Sequence, residues 1–97
     1  MATFDELQTS WGNLGQALDD ACAGTASGGC MGALAKLAQI SGRVGDWNRL
    51  PNESADYDPV IASLDQASQQ LAGGASAGAL ASANQAMEEV EALLDNA

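Results

Sequence analysis

The sequence predicts an all-α protein, a small four-helix bundle of antiparallel helical hairpins, and three observations carry that expectation. Phe4, Leu7, Trp11, Leu14, Leu18 and Ala21 follow one another in steps of three and four, which puts them on one side of a helix. Leu80, Ala83, Met87, Val90 and Leu94 repeat the alternation near the other end of the chain. Between these seams, Gly- and Pro-containing stretches cut the chain into helix-length pieces. The expected helices cover about 4–23, 30–48, 59–72 and 77–95, in a single domain over 1–97, because ninety-seven residues are too few for two independent cores. Pairing of helical hairpins between copies, giving a homo-oligomer, is the main alternative.

The first helix opens on Thr3-Phe4-Asp5-Glu6, a capping box in which the Thr3 hydroxyl and the Glu6 carboxylate each take a backbone N–H. Asp5 and Glu6 also sit in the first turn, where the helix dipole favours acids. Gly12 and Gly15 lie within this helix, each costing about 1 kcal/mol relative to alanine, and close approach of another helix is the expected compensation. Gly24 ends it, and the Gly/Ser/Thr run through Gly29 is a turn short enough to imply an antiparallel neighbour.

The second helix carries Cys30, Met31, Leu34, Leu37, Ala38, Ile40, Val44 and Trp47, with Ser41 interrupting the stripe. Pro51 stops it near Trp47 to Arg49. Residues 48–58 form the one long connection, and they leave open whether the path is a simple up-and-down one or a crossover. Asp58-Pro59 reads as an N-cap followed by proline at the first helical position. The third helix then bears Val60, Ile61, Leu64, Ala67 and Leu71 and ends at Gly73-Gly74, and Gly74 or Ser76 opens the fourth.

Twenty of the hydrophobic residues are alanine, so the core is thin and the helices closely spaced. The net charge is −10, from three basic and thirteen acidic residues. Phosphate contacts need Lys and Arg, so direct binding of nucleic acid is disfavoured, as is adsorption to anionic lipid. Solubility accounts for the acidity without further function; the sharper reading is a docking surface for a basic partner. Charge is uneven along the chain, since residues 30–51 hold Lys36, Arg43 and Arg49 against Asp46 alone. The N-terminus lacks the basic and apolar pattern of a cleavable secretory signal, and no apolar run reaches the length of a membrane span.

Cys22 and Cys30 bracket the first turn, a spacing that suits a disulfide closing a nine-residue loop. Two reduced, half-buried thiols are the alternative. The bond implies an extracellular or virion location; without it the expectation is cytoplasmic. With no histidine and two thiols, no zinc site, other metal site or cofactor is expected. Asp19-Asp20 and the Glu88-Glu89-Glu91 run lack a calcium-loop pattern and read as solvated faces. No serine stands in a nucleophile elbow, and the Gly-rich runs have no phosphate-loop lysine, so the chain is not expected to be an enzyme.

An acidic one-domain helical bundle is similar to acyl carrier proteins, whose attachment serine stands in an Asp-Ser-Leu motif; the nearest string here, Ser63-Leu64-Asp65, lies in mid-helix without the preceding Asp. In size, helicity and a central Trp the chain resembles small helical proteins exported by type VII secretion. Their Trp-x-Gly bend is matched here only by Trp47-Asn48-Arg49, and Ile61 stands where an acid should follow Tyr57.

Arg43, Trp47, Arg49, Leu50 and Tyr57 are the expected partner-binding residues, since Trp, Tyr and Arg dominate interface hot spots. The ordinary alternative puts Trp47 over the end of the core and pairs the arginines with nearby acids. Together these readings point to a non-enzymatic small acidic protein that acts by binding another protein, as a secreted effector, a phage or virion component, or an inhibitor. Two alternatives are an acidic nucleic-acid mimic that inhibits a basic protein, and a small-molecule carrier with a cavity in the bundle core.

Overall fold

A computed structural model describes residues 1–25 and 27–97, so the turn expected over 24–29 is described except at residue 26. The chain is mostly helical: α1 spans Phe4–Cys22, α2 Gly28–Ser41, α3 Val44–Trp47, α4 Tyr57–Leu71 and α5 Ala77–Asp95. Two short strands, β1 (Ala2–Thr3) and β2 (Glu53–Ser54), pair antiparallel with Ala2 opposite Ser54 and Thr3 opposite Glu53.

The caps explain most of the boundaries. The Thr3 hydroxyl accepts from the N–H of Glu6 at 3.1 Å, and the Glu6 carboxylate accepts from the N–H of Thr3 at 3.2 Å, completing the capping box. Ser27 accepts from the N–H of Cys30 and Ser76 from that of Ala79, starting α2 and α5 in the same way. Gly74, with φ of +111°, supplies the left-handed residue between α4 and α5.

Two expectations are corrected. The second helix does not run through 30–48: α2 ends at Ser41, Arg43 leaves helical geometry (φ −81°, ψ 54°), and α3 follows as a single separate turn. The break lets Trp47 fold back under α2, where its indole N–H donates at 2.9 Å to the Ile40 carbonyl, which also accepts from the N–H of Arg43 at 3.1 Å. Asp58 is not an N-cap either. The cap position is Asp56, without a side-chain bond, and Pro59 is the third helical residue, where its missing N–H still costs nothing. The Asp58 carboxylate instead accepts from the N–H of Ala2 at 2.8 Å and ties the N-terminus to α4.

The core is one cluster. Leu7, Leu14 and Leu18 of α1, Leu64 and Ala67 of α4, and Ala83, Ala86, Met87 and Val90 of α5 are fully buried. α1 packs most extensively on α4 and α4 on α5, while α2 lies mainly against α5. Contacts of α1 and α4 advance in the same sense: Ala2 meets Asp58 and Ser10 meets Asp65. Those of α2 and α5 do likewise, from Gly29 beside Leu80 to Lys36 on Glu88.

α2 meets α1 more thinly, and the expected compensation for the α1 glycines holds at one of them. A Cβ on Gly15 would meet Leu37 Cδ2 at 3.5 Å, whereas one on Gly12 would meet nothing within 4 Å. The Cys22 and Cys30 sulfurs lie at bonding distance, with Cα atoms 5.7 Å apart, at the end of the molecule where α1 leads towards α2.

Reduction of this pair, or its replacement by Cys22→Ser with Cys30→Ser, is expected to cost about 2.5 kcal/mol, the loop-closure entropy of a nine-residue loop. Urea titration followed by circular dichroism checks this; an unchanged midpoint would show the link to be energetically idle. Leu14→Ala, at a fully buried site of α1, is expected to cost about 3 kcal/mol in the same assay.

Candidate functional site

The five residues expected to bind a partner share one end of the molecule, but most of them are used internally. Trp47 is only 6 % exposed, and its ring lies 5.6 Å from Trp11 and 6.3 Å, edge-on, from Phe4. Tyr57 is 1 % exposed, and its hydroxyl donates to the Pro51 carbonyl at 2.5 Å. Burial, followed by the charge of Asp56, raises its pKa above the ordinary value of 10.0. Leu50 is half-buried against the core. Arg43 donates to Asp46 at 2.9 Å and to Asp95 at 2.8 Å, bonds that raise its pKa further, and Arg49 donates to Asp46 at 3.1 Å. The cluster thus joins α2, α3 and α5, and Arg49 is its one largely exposed member.

The remaining cation, Lys36, reaches Glu88 at 3.2 Å and Glu91 at 3.9 Å. All three basic side chains therefore sit on the α2–α3–α5 side, each against acids of its own neighbourhood. The acids of α1 and α4 are left without such partners among the described residues. Pairing on one side and none on the other, among the described residues, gives the acidic surface a directional field.

The α1–α4 side is also grooved. A cleft of about 400 Å³ at its start is lined by Asp5, Glu6, Ser10, Asn13, Ile61 and Asp65. A second, of about 550 Å³, continues past Asn13 to Ala17, Asp20, Ala21, Leu71 and Ala72. Asn13 lines both, so the two clefts adjoin there along the α1–α4 groove. Ser10, buried in its wall, donates to the exposed Asp65 at 2.9 Å. Across α4, a third cleft of about 560 Å³ brings Asp56 and Glu89 to an apolar floor that includes Pro51, Val60 and Leu93.

Sequence reasoning missed this groove. Its acids come from helices 40–60 residues apart in the chain, and Asp65 stands alone in a polar stretch. The signal that existed was the confinement of Lys and Arg to 30–51, which foretold an acidic remainder without locating it.

An uncharged cleft of about 440 Å³ lies between α1 and α2–α3 and is lined by Gln8, Trp11, Gly12, Ser41, Val44 and Asn48. Ser41, which interrupts the apolar stripe of α2, accepts from the Trp11 indole at 3.1 Å. Among the described residues, no three of His, Cys, Asp and Glu come together as metal ligands do, and no helix is long and apolar enough to cross a membrane. No protein-family model, curated protein or solved structure matches this chain significantly.

Trp47→Ala is expected to destabilise the protein by about 4 kcal/mol, because it empties a packed aromatic site and removes one of the two hydrogen bonds to the Ile40 carbonyl. A melt matching wild type would show that the ring is not structural. For Tyr57, the unfolded chain releases the phenolic proton first, so the folded state loses stability as pH rises above about 10 towards the raised folded value. Tyr57→Phe is expected to remove that alkaline slope; urea midpoints at pH 8 to 11 provide the check.

Proposed function

We propose that the chain is a non-enzymatic binding protein whose partner is a basic protein, docked on the acidic α1–α4 side. The scaffold for this is a bundle of two antiparallel hairpins, α1 with α2 and α4 with α5, laid so that α1 flanks α4. The single observation that carries the reading is the segregation of charge. Lys36, Arg43 and Arg49 are each paired on the opposite side, while Asp5, Glu6, Asp20 and Asp65 line a groove with no cation in it. Electrostatic complementarity of this kind steers encounter and selects the partner's sign more than it adds raw affinity. Each rim carboxylate is therefore modest in energy and the set is selective. The Cys22–Cys30 pair supports an oxidising location, where a link at bonding distance persists.

The test uses variants of equal net charge that differ in position. Asp5→Asn with Asp65→Asn removes two groove carboxylates, and the asparagine at 65 keeps an acceptor for Ser10. Asp19→Asn with Glu53→Gln removes two acids outside the groove. Affinity capture is expected to recover a basic protein with wild type and with the second variant. Binding to that protein is expected to be weakened about five- to tenfold by the first variant and to fall as salt rises. A partner that is itself acidic, or equal loss in both variants, overturns the reading.

A further inference from the structure

We infer that the α1–α4 groove receives a basic amphipathic α-helix; this rests on the reading of a basic partner just given and names the form that partner takes. The first argument comes from the walls. A groove between two helices presents side chains only, because the N–H and C=O groups of its walls are spent on each other. An extended segment laid there would strip water from its own backbone and find nothing to bond, at a cost for every buried group. A helix satisfies its backbone internally and can be desolvated without that cost, which is why grooves of this type take helices.

The second argument comes from the lining. Asp5 and Asp20 mark the two ends on α1, about 22 Å apart at the usual rise per residue, the length of some four helical turns. At the Asp20 end the walls are Ala17, Ala21 and Ala72 around the buried Leu71, small residues that allow close helix approach and leave room for a large apolar side chain. At the other end Ile61 is the apolar floor, with the carboxylates of Asp5, Glu6 and Asp65 around it. That combination suits a Lys or Arg, whose stem lies on Ile61 while its head reaches the acids. The incoming helix thus carries apolar residues at i, i+4 and i+7 and flanks them with cations, most densely at the Asp5 end.

Third, no cationic side chain among the described residues completes the groove. The three cations are held elsewhere by Glu88, Glu91, Asp46 and Asp95, so the carboxylates at Asp5, Asp20 and Asp65 have no internal counter-charge. A second copy of the chain, at a net charge of −10, brings the wrong sign.

The experiment titrates the full chain with a synthetic peptide of about eighteen residues built from Leu and Lys on an amphipathic helical pattern. A peptide of the same composition with the leucines scattered, and poly-lysine, serve as comparisons. Binding is read by calorimetry and mapped by amide shifts in the 15N-labelled protein. The amphipathic peptide is expected to bind at least tenfold more tightly than the scattered one, with shifts centred on residues 5–21 and 61–74. Asn13→Trp, which places a ring where the two clefts meet and leaves the net charge at −10, is expected to weaken it about tenfold or more without changing the melt.

Equal affinity for both Leu/Lys peptides, indifference to Asn13→Trp, or shifts centred outside the groove overturns the helix. If poly-lysine and the scattered peptide still bind the α1–α4 side and lose affinity in the Asp5→Asn, Asp65→Asn variant, the basic-partner reading survives that result. Loss of position dependence altogether removes both.

Discussion

The turn that carries Trp47 back under α2 is the constraint on which the rest of the structure depends. Without it, α2 would continue along its axis and the following connection would leave from a point farther out. The indole N–H on the Ile40 carbonyl closes the end of α2, and the ring against Trp11 and Phe4 binds that end to α1. Residues 48–56 then cross to the start of α4, where β2 pairs with β1 and Asp58 holds the N–H of Ala2. This delivers α4 to the flank of α1, running in the same sense. The groove between α1 and α4 is a consequence of where that crossing lands.

The opposite end of the molecule is held differently. The aromatic cluster lies at the start of α1, and the Cys22–Cys30 pair lies at its far end. Between these two anchors α1 and α2 touch lightly, with Gly15 accommodating Leu37 and Gly12 facing open space. A thin, alanine-rich interface gains little from burial, so fixing both ends of the pair matters more than it would in a core of larger residues. α2 is meanwhile carried by α5, and the ion pairs of Lys36 and Arg43 with α5 acids lie along the outside of that contact.

Those ion pairs also decide the electrostatics. Each is exposed enough to contribute little stability on its own. Their effect on the field is larger, because they place all three basic side chains on one side and neutralise part of the acid there. The carboxylates on the α1–α4 side accept hydrogen bonds from Ala2, Thr3, Ser10 and Gln16, but no cationic side chain among the described residues pairs with them. Where three cations are held thus sets the charge distribution of the whole surface.

The helices themselves were legible in the chain. Steps of three and four from Phe4 to Ala21 and from Leu80 to Leu94, the Thr3–Glu6 box and the glycines at 24 and 74 fix local structure, because propensity, capping and periodicity act over one or two turns. The Cys22–Cys30 proximity was legible for the same reason, being a matter of eight residues. What the tertiary structure decided lies at longer range. The stripe from Cys30 to Trp47 is helical in period throughout, and the break at Gly42–Arg43 follows from Trp47 gaining Trp11, Phe4 and the Ile40 carbonyl as partners. Strands of two residues leave no alternation to read, so β1 and β2 exist because the start of α4 lies beside the N-terminus. Trp47 and Tyr57, whose bulk suits an interface equally well as a core, are buried, whereas Asp5, Asp20 and Asp65 are exposed. Residue type gives a side chain its capacity to bind, and only packing determines whether that capacity is spent within the molecule or left facing outward.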